Sequence, residues 1–193
     1  MSIYLIRHAQ SLGNVNGRVE SHASIPLTEY GHQQAQNLAD SLPKAKHVYI
    51  SPFLRTRLTA EPILLRDQIT PKVLNIQEFS YLSDRRCRNT TLEERKPWVD
   101  DYWNRADVNL ITSDDAESFA NFYRRVTDFM QHLDALKSHY SDQHLLVFSH
   151  GQFLQLFRIM MAQKRVLNSA LMREFRFDLL NHQLDNTEFF IYK

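Results

Sequence analysis

Three short apolar runs, each followed by polar residues and then by a helical pattern, constrain the fold of this 193-residue chain more than any other feature. The runs cover residues 3–6, 47–50 and 145–148, and branched and aromatic side chains dominate them. Unbroken apolar runs of this length are typical of strands buried on both faces, as in parallel sheets covered by helices. Strands that alternate with helices predict an α/β protein with a largely parallel sheet.

Arginine and histidine side chains follow these runs, at the points where the strands would leave the core. Arg7 and His8 come after the first run, Arg55 follows the second, and His150 follows the third. The carboxyl ends of parallel strands lie at one edge of the sheet, which is where open α/β sheets bind ligands. Two arginines and two histidines at that edge predict an anion site that contains a nucleophile.

Four sequence blocks around these residues occur in the order found in a known family. The first block is residues 5–11 with Asn14, and the second is residues 26–31 with Gln34 and Ala35. The third is residues 51–55 with Thr59 and Ala60, and the fourth is residues 147–151. A weaker block follows at residues 185–187. The chain resembles the histidine phosphatase superfamily, also called the phosphoglycerate mutase-like family. The resemblance implies one domain over residues 1–193, folded as a three-layer α/β/α sandwich with a mixed, mostly parallel sheet.

The resemblance also implies a reaction, the metal-independent hydrolysis of phosphomonoesters, with inorganic phosphate as product. His8 would attack phosphorus as a neutral imidazole and form a phosphohistidine that water then opens. Arg7 and Arg55 would bind phosphate oxygens bidentately, which lysine cannot do, and His150 would donate a hydrogen bond in the transition state. The predicted substrate-binding set is Arg7, Asn14, Arg55, His150 and Gly151.

Two positions depart from the family pattern, which has glycine and then glutamate after the first histidine. This chain has Ala9 and Gln10 there. Alanine is tolerated unless the position needs a positive φ, which only glycine adopts at low cost. Glutamine keeps the shape of glutamate but removes a charge beside the anion pocket. We therefore keep a rival hypothesis, a phosphoryl-ligand binding module that has lost turnover, beside a second rival, a phosphomutase that hands the phosphate back.

The proton donor for the leaving oxygen is less well defined by the sequence. Glu78 follows a possible third strand in the setting where the family's acid often lies. Burial and a nearby phosphate would raise the pKa of this carboxyl group towards a useful range. The other interpretation is a surface glutamate at a strand end, and the alternative acids are then Asp84, Glu93 and Glu117.

Residues 77–113 correspond to the family's insertion that covers the active site and selects the substrate. The basic run Arg85, Arg86 and Arg88 either holds a second anionic group or forms a solvated face, and we favour the solvated face. In the loop over residues 9–27, Arg18, Ser21 and His22 face either substrate or solvent.

Composition excludes several other classes of protein. The net charge of +1 provides no general attraction to nucleic acid or to a membrane surface, and no apolar stretch approaches the roughly 20 residues of a membrane span. Cys87 is the single cysteine, so a thiolate metal cluster and an intrachain disulfide are both excluded. The chain has no His-Glu-x-x-His, P-loop or dinucleotide glycine motif. We expect a cytoplasmic enzyme with no metal or cofactor.

Local patterns predict the remaining elements. Thr28 should cap a helix through about Leu42, Ser51 and Pro52 should begin another helix, and Pro62 should kink or break it. Asp114 and Glu117 should cap a long helix whose core stripe is Phe119, Phe122, Val126, Phe129, Leu133, Leu136 and Tyr140. A helix should follow His150. Residues 72–76, 175–179 and 188–192 are predicted strands.

Overall fold

The computed structural model describes residues 2–137, 143–163 and 165–193. The strands are β1 Ser2–Arg7, β2 His47–Ile50, β3 Lys72–Val73, β4 His144–Ser149 and β5 Phe189–Tyr192. The helices are α1 Glu29–Ser41, α2 Leu54–Asp67, α3 Asp84–Cys87, α4 Leu92–Arg105, α5 Phe119–Lys137, α6 Gly151–Ala162 and α7 Ser169–Asn181. Two short 3-10 turns, Leu12–Val15 and His22–Ser24, lie in the loop between β1 and α1.

The described strands form one five-stranded sheet in the order β3-β2-β4-β1-β5. β1, β2, β3 and β4 pair in parallel, and β5 pairs antiparallel to β1 at the edge. The register places Ile6 and Ile50 beside Phe148. The carboxyl ends of β1, β2 and β4 therefore lie at the same edge of the sheet.

The two faces of the sheet pack into separate cores because successive strand side chains point to opposite faces. On one face, Ile3 and Leu5 of β1 pack in a large cluster with apolar side chains of α5, α6 and α7. On the other face, Ile6 of β1 packs with α1 and α2 through Leu38 and Ile63. Helices on both faces of a mixed, mostly parallel sheet make the predicted α/β/α sandwich, and this prediction is confirmed.

Several predicted helices are also confirmed. Thr28 caps α1, and its side chain accepts a hydrogen bond from Gly31 N at 3.0 Å. The apolar stripe from Phe119 to Leu133 is buried along α5, whereas Tyr140, the last member of that predicted stripe, lies outside the described residues. A buried helix, α6, follows His150.

The strand predicted over residues 175–179 is wrong, because this segment lies inside α7. Phe175 and Leu179 are buried with Leu171 and Met172, which is helical spacing, and Phe177 is 64% exposed. Five residues of apparent alternation were too few to exclude the helical period. The strand predicted over residues 72–76 shortens to Lys72–Val73, and residues 188–192 contain β5 as expected.

Two predicted helix starts are also wrong. α2 begins at Leu54 with Phe53 as its N-cap, because the Ser51 hydroxyl accepts a hydrogen bond from Phe53 N at 3.1 Å and forms a turn before the helix. Pro62 does not break α2, which continues to Asp67 with Ala60 and Ile63 buried on either side of the proline. α5 begins at Phe119 with Ser118 accepting from Asn121 N, rather than with an Asp114–Glu117 cap.

Candidate active site

His8 lies directly after β1 at the carboxyl edge of the sheet and is 2% exposed. Its Nδ1 lies 2.7 Å from the carbonyl oxygen of Ala9. A carbonyl oxygen only accepts hydrogen bonds, so Nδ1 must carry the proton. The other ring nitrogen, Nε2, then presents its lone pair, and it accepts a hydrogen bond from Arg55 Nε at 3.1 Å.

The surroundings of His8 keep its imidazole neutral. Burial lowers the pKa of His8 well below its ordinary value, and the positive charge of Arg55 lowers it further. Arg7 adds a smaller effect in the same direction on this pKa. A neutral ring that carries its electron pair on Nε2 is the form that can act as a nucleophile once the hydrogen bond from Arg55 is released.

Arg55 lies in the first turn of α2 and is 5% exposed. Besides His8, it donates from Nη1 to the carbonyl oxygen of His22 at 2.8 Å, and its guanidinium lies 5.0 Å from the centroid of the Phe53 ring. Burial lowers the pKa of Arg55 to about 10. The group stays cationic at neutral pH in a place with little water, where its charge acts strongly on an anion.

Arg7, the last residue of β1, is 8% exposed. Its Nη1 donates to the carbonyl oxygen of Leu184, and its Nε is buried without a partner among the described residues. A Cβ at Gly151 would lie 3.2 Å from this Nε and 3.3 Å from Cζ. Gly151 thus leaves the space that the guanidinium occupies beside the start of α6.

His150 is the N-cap of α6 and is completely buried. Its ring centroid lies 5.2 Å from that of His8, and its Nε2 lies 2.7 Å from Ser51 Oγ. Its Nδ1 has no hydrogen-bond partner among the described residues. Burial, followed by the charge of Arg55, lowers the pKa of His150 well below its ordinary value.

Glu78 lies in the loop after β3. Its Oε1 accepts hydrogen bonds from Gln152 N at 2.9 Å and from Phe79 N at 3.3 Å. Burial raises the pKa of Glu78, and the charges of Arg55 and Arg7 partly oppose that rise.

The three alternative acids are placed differently. Asp84 accepts a hydrogen bond from His22 N at 2.6 Å, and Glu117 pairs with Arg125. Glu93 is exposed in the first turn of α4. Among these four carboxylates, Glu78 alone lines the cavity described next.

A cavity of about 240 Å³ opens onto His8, Arg55 and Glu78. Asn14 also lines it, whereas Arg7, His150 and Gly151 are not among the residues that form its wall. The other walls come from the loop after β1, from residues 79–82 and from α4. Of the predicted catalytic residues, His8, Arg55 and Glu78 line the cavity. The ring of His150 lies beside that of His8, and Arg7 precedes His8 at the end of β1.

The chain is similar to a known family and to several known proteins. Residues 3–188 match the family described as the histidine phosphatase superfamily, branch 1. The chain belongs to this superfamily. Among curated proteins, the adenosylcobalamin/alpha-ribazole phosphatase of Salmonella typhimurium is 34% identical over 165 residues, which cover 81% of this chain and 77% of that protein. A probable phosphoglycerate mutase of Erwinia tasmaniensis is 27% identical over 80% of this chain and 71% of its own.

A solved structure shows the same fold. The alpha-ribazole phosphatase from Shigella flexneri superposes with a TM-score of 0.74 at 24% identity, over 100% of this chain and 90% of that protein. Within the described residues, we find no group of three or more His, Cys, Asp or Glu side chains that could hold a metal ion. No described helix is long and apolar enough to cross a membrane.

The two departures from the superfamily pattern are accommodated in the structure. Ala9 is fully buried with an ordinary negative φ, and its N–H donates to Thr59 Oγ1 at 3.0 Å. Gln10 points its side chain towards α1, where Oε1 accepts a hydrogen bond from Thr28 Oγ1 at 2.8 Å. Alanine therefore causes no backbone strain, and the amide of Gln10 stabilises the helix start.

Other expectations concerned charged residues around the cavity. Arg85 and Arg88 are largely exposed and pair with Asp114 and Glu20, and Arg86 stacks on Trp98, so the run is a solvated face as we favoured. In the loop over residues 9–27, His22 lines the cavity, whereas the side chain of Arg18 is 54% exposed.

Three contacts of the site were not predicted from sequence. Ser51 was assigned to a helix cap, yet its hydroxyl holds the ring of His150. Gln152 contributes its backbone N–H to Glu78, which no side-chain pattern reveals. Asn186 donates from Nδ2 to the carbonyl oxygen of His8 at 2.8 Å, and only the weak motif at residues 185–187 drew attention to it.

Proposed function

We propose that this member of the superfamily is a metal-independent phosphatase that hydrolyses small phosphomonoesters through a phosphohistidine on His8. The observation that carries the proposal is the state of the His8 ring. Its proton is held on Nδ1 by Ala9 O, so a neutral Nε2 faces Arg55 at the end of the cavity. A phosphoryl group requires a positioned nucleophile and cations around its oxygens, and this site offers both.

In the first step, Arg55 Nε exchanges its hydrogen bond to His8 Nε2 for one to a phosphoryl oxygen, and phosphorus takes the place opposite Nε2. The bond from Nε2 to phosphorus forms as the bond from phosphorus to the ester oxygen breaks. Arg55 and the unpartnered Nε of Arg7 neutralise the charge on the phosphoryl oxygens. Glu78 gives its proton to the departing alkoxide, and its raised pKa favours the protonated form that this role requires.

His150 completes the set of donors. Ser51 Oγ accepts a hydrogen bond from Phe53 N and lies 2.7 Å from His150 Nε2, so its own proton can be directed to that nitrogen. The neutral ring then carries its remaining proton on Nδ1, the atom with no partner among the described residues. We assign that N–H to a phosphoryl oxygen in the transition state.

In the second step, water opens the phosphohistidine. Glu78, now a carboxylate, takes a proton from the water as its oxygen attacks phosphorus. The bond to Nε2 breaks and leaves a neutral His8, and inorganic phosphate departs. Each group returns to its starting protonation state, so the cycle needs no metal ion and no second substrate.

The remaining expectations belong to the same proposal. Residues 1–193 form one domain, and residues 77–113 are its active-site cover, since Leu92, Arg95 and Val99 of α4 line the cavity. Asn14 also lines the cavity, and Gly151 leaves room for the guanidinium of Arg7. The single cysteine suits the reducing conditions of a cytoplasmic enzyme. The relatives named for alpha-ribazole suggest a small phosphorylated metabolite as substrate.

Hydrolysis of an aryl phosphate in the presence of EDTA tests the proposal. We expect phosphate release that EDTA does not reduce, together with acid-labile phosphate on a peptide containing His8 after rapid quenching. His8→Ala should lose both signals while its circular dichroism spectrum stays unchanged. Phosphate binding without turnover would favour the binding module, and transfer to an added alcohol in place of water would favour the mutase.

A further inference from the structure

The walls of the cavity combine the polar residues of the site with a set of apolar side chains. The apolar and aromatic side chains of this set are Ile25, Phe79, Tyr81, Leu82, Leu92 and Val99. Ile25 and Phe79 are 7% and 4% exposed, so they belong to the core and present a fixed surface. Phe79 and Tyr81 stand side by side, with ring centroids 5.2 Å apart. The alcohol part of a bound phosphomonoester would lie against these apolar and aromatic side chains.

Charge on the walls limits the substrate further. Among the described residues that line the cavity, Glu78 is the single acidic side chain. A proton donor cannot at the same time serve as the counter-ion of an ammonium group, so an amino alcohol has no partner here. Arg95 is a cation on the wall, but its Nε and Nη2 already donate to Thr90 and Cys87.

From these walls we infer that the enzyme prefers phosphomonoesters whose alcohol is neutral and carries an apolar ring, over amino-acid phosphates and phosphoglycerates. This inference rests on the proposed phosphatase function. A ring buried against Phe79, Tyr81 and Leu92 gains the free energy of removing apolar surface from water. An ammonium at the same place loses water without gaining a matched partner. A carboxylate there meets only Arg95, whose Nε and Nη2 are already engaged.

The test compares three alkyl phosphates with similarly poor leaving groups: 2-phenylethyl phosphate, O-phosphoserine and 3-phosphoglycerate. We expect kcat/KM for the phenylethyl ester to exceed the other two by roughly ten- to a hundredfold, the range that burial of one aromatic ring supports. A preference for phosphoserine would overturn the inference. A preference for 3-phosphoglycerate would also overturn it and would assign selection to Arg95.

Two variants sharpen the test. Leu92→Asp places a charge on the apolar wall at the first position of α4, where an acidic side chain suits the helix start. It should reduce the preference for the phenylethyl ester by about five- to tenfold. The matched control, Leu65→Asp on α2, changes a leucine that is 74% exposed and away from the cavity, and it should leave the preference unchanged. An equal preference in all three proteins would refute the role of this wall.

Failure of this inference and failure of the proposed function give different results. If an aryl phosphate is not hydrolysed at all, the phosphatase proposal falls and the substrate inference falls with it. If the aryl phosphate is hydrolysed but the three alkyl esters react equally well, the phosphatase stands and the substrate inference alone is wrong.

A different observation, the environment of Arg125, carries a second inference. The segment over residues 75–80 carries Glu78 beyond the end of β3, where the backbone no longer follows the sheet. Arg125 of α5 reaches this segment and donates to Gln77 O at 2.7 Å and to Glu78 O at 3.1 Å. Its Nε donates to Glu117 Oε2 at 2.9 Å.

Glu117 extends the same clamp. Its Oε1 accepts from Ser80 N at 3.1 Å, and its own N–H donates to Ser80 O at 2.9 Å. The Arg125 guanidinium lies 4.9 Å from the centroid of the Phe122 ring, and its side chain is only 14% exposed. The backbone on both sides of Glu78 is thus held by one partly buried ion pair.

We propose that Arg125, through its pair with Glu117, is the positioning residue that holds the acid Glu78 at the cavity. It donates to the backbone around Glu78 and touches no reacting atom, so its loss should act mainly through Glu78. Its charge also lowers the pKa of His150, and Arg125→Lys keeps that charge. General acid catalysis matters for an alkoxide leaving group and little for a nitrophenolate. Arg125→Met should therefore lower kcat for an alkyl phosphate about ten- to a hundredfold, and should lower kcat for 4-nitrophenyl phosphate less than about threefold.

The neighbouring Arg124 provides the matched control, because it is exposed on the same helix. Arg124→Met should match the wild type on both substrates. Turnover of 4-nitrophenyl phosphate reports that the Arg125 variant is folded, and Arg125→Lys serves as a milder variant if it is not. In a Glu78→Gln background, Arg125→Met should cause no further loss on the alkyl ester. Equal losses on both substrates, or a further loss in that background, would refute the positioning role.

Discussion

Replacing Arg55 by lysine tests the geometry of the anion site, because the charge is kept and the planar fork is lost. Arg55 directs Nε to His8 Nε2 and Nη1 to the carbonyl oxygen of His22, so two of its nitrogens are oriented at once. A lysine ammonium can replace one of these directed contacts but not the pair. Loss of one hydrogen bond to a charged group costs about 1.5–3 kcal/mol, which is about ten- to 150-fold in kcat/KM.

The assay is phosphate release from 4-nitrophenyl phosphate under subsaturating conditions, since kcat/KM then reports transition-state binding. Arg57→Lys is the control, as Arg57 lies two positions further along α2 and is exposed. It should match the wild type within about twofold. If Arg55→Lys also stays within about threefold of the wild type while both proteins melt at the same temperature, a point charge suffices and the bidentate explanation is refuted.

Other perturbations test separate parts of the site and the fold. Arg7→Lys should lower kcat/KM about tenfold or more, and activity equal to the wild type would contradict a role for the buried Nε. Glu78→Gln should slow hydrolysis of an alkyl phosphate about a hundredfold or more and remove the alkaline limb of its pH–rate profile. The reason is that an acid with a raised pKa is active below that pKa and loses its proton above it. An unchanged alkaline limb would show that another residue is the acid. Gly151→Ala should reduce phosphate affinity about tenfold, since a Cβ would contact Arg7, and isothermal titration that gives an unchanged Kd would disprove this. Gly31→Ala should lower the free energy of unfolding, measured by urea denaturation, by about 1–3 kcal/mol. A Cβ would lie 2.0 Å from Gln10 O, and this clash outweighs the better helix propensity of alanine. An unchanged urea midpoint would contradict the clash.

The sheet edge could be predicted because its signals are local. Each of β1, β2 and β4 is a short apolar run, and the chain leaves each of them through polar residues. Parallel pairing then brings their ends together whatever the remaining sequence is. Arg7, His8 and His150 follow from this rule alone, and Arg55 follows because α2 starts soon after β2.

The rest of the site depends on contacts between residues far apart in the sequence. The N–H of Gln152 reaches Glu78 only because α6 starts beside the loop after β3. Arg125 donates to the backbone of Gln77, which lies 48 positions away in the sequence. The apolar stripe of α5 does not predict which groups the polar side chains beside it will contact. The error over residues 175–179 has a different cause, since a five-residue alternation fits a strand and the flank of a helix equally well.

The order in which the chain is synthesised gives the C-terminal segment a particular importance. Strand β1 leaves the ribosome early, yet Arg7 is anchored by Leu184 O and the carbonyl of His8 by Asn186, which lie 177 and 178 positions later. Closing so long a loop is slow compared with forming neighbouring helices. A nascent chain halted before residue 184 would have β1 to β4 available for pairing while its nucleophile still lacked these anchors. Catalytic competence should therefore develop late and abruptly during translation, when Leu184 and Asn186 reach Arg7 and His8 and β5 pairs with β1.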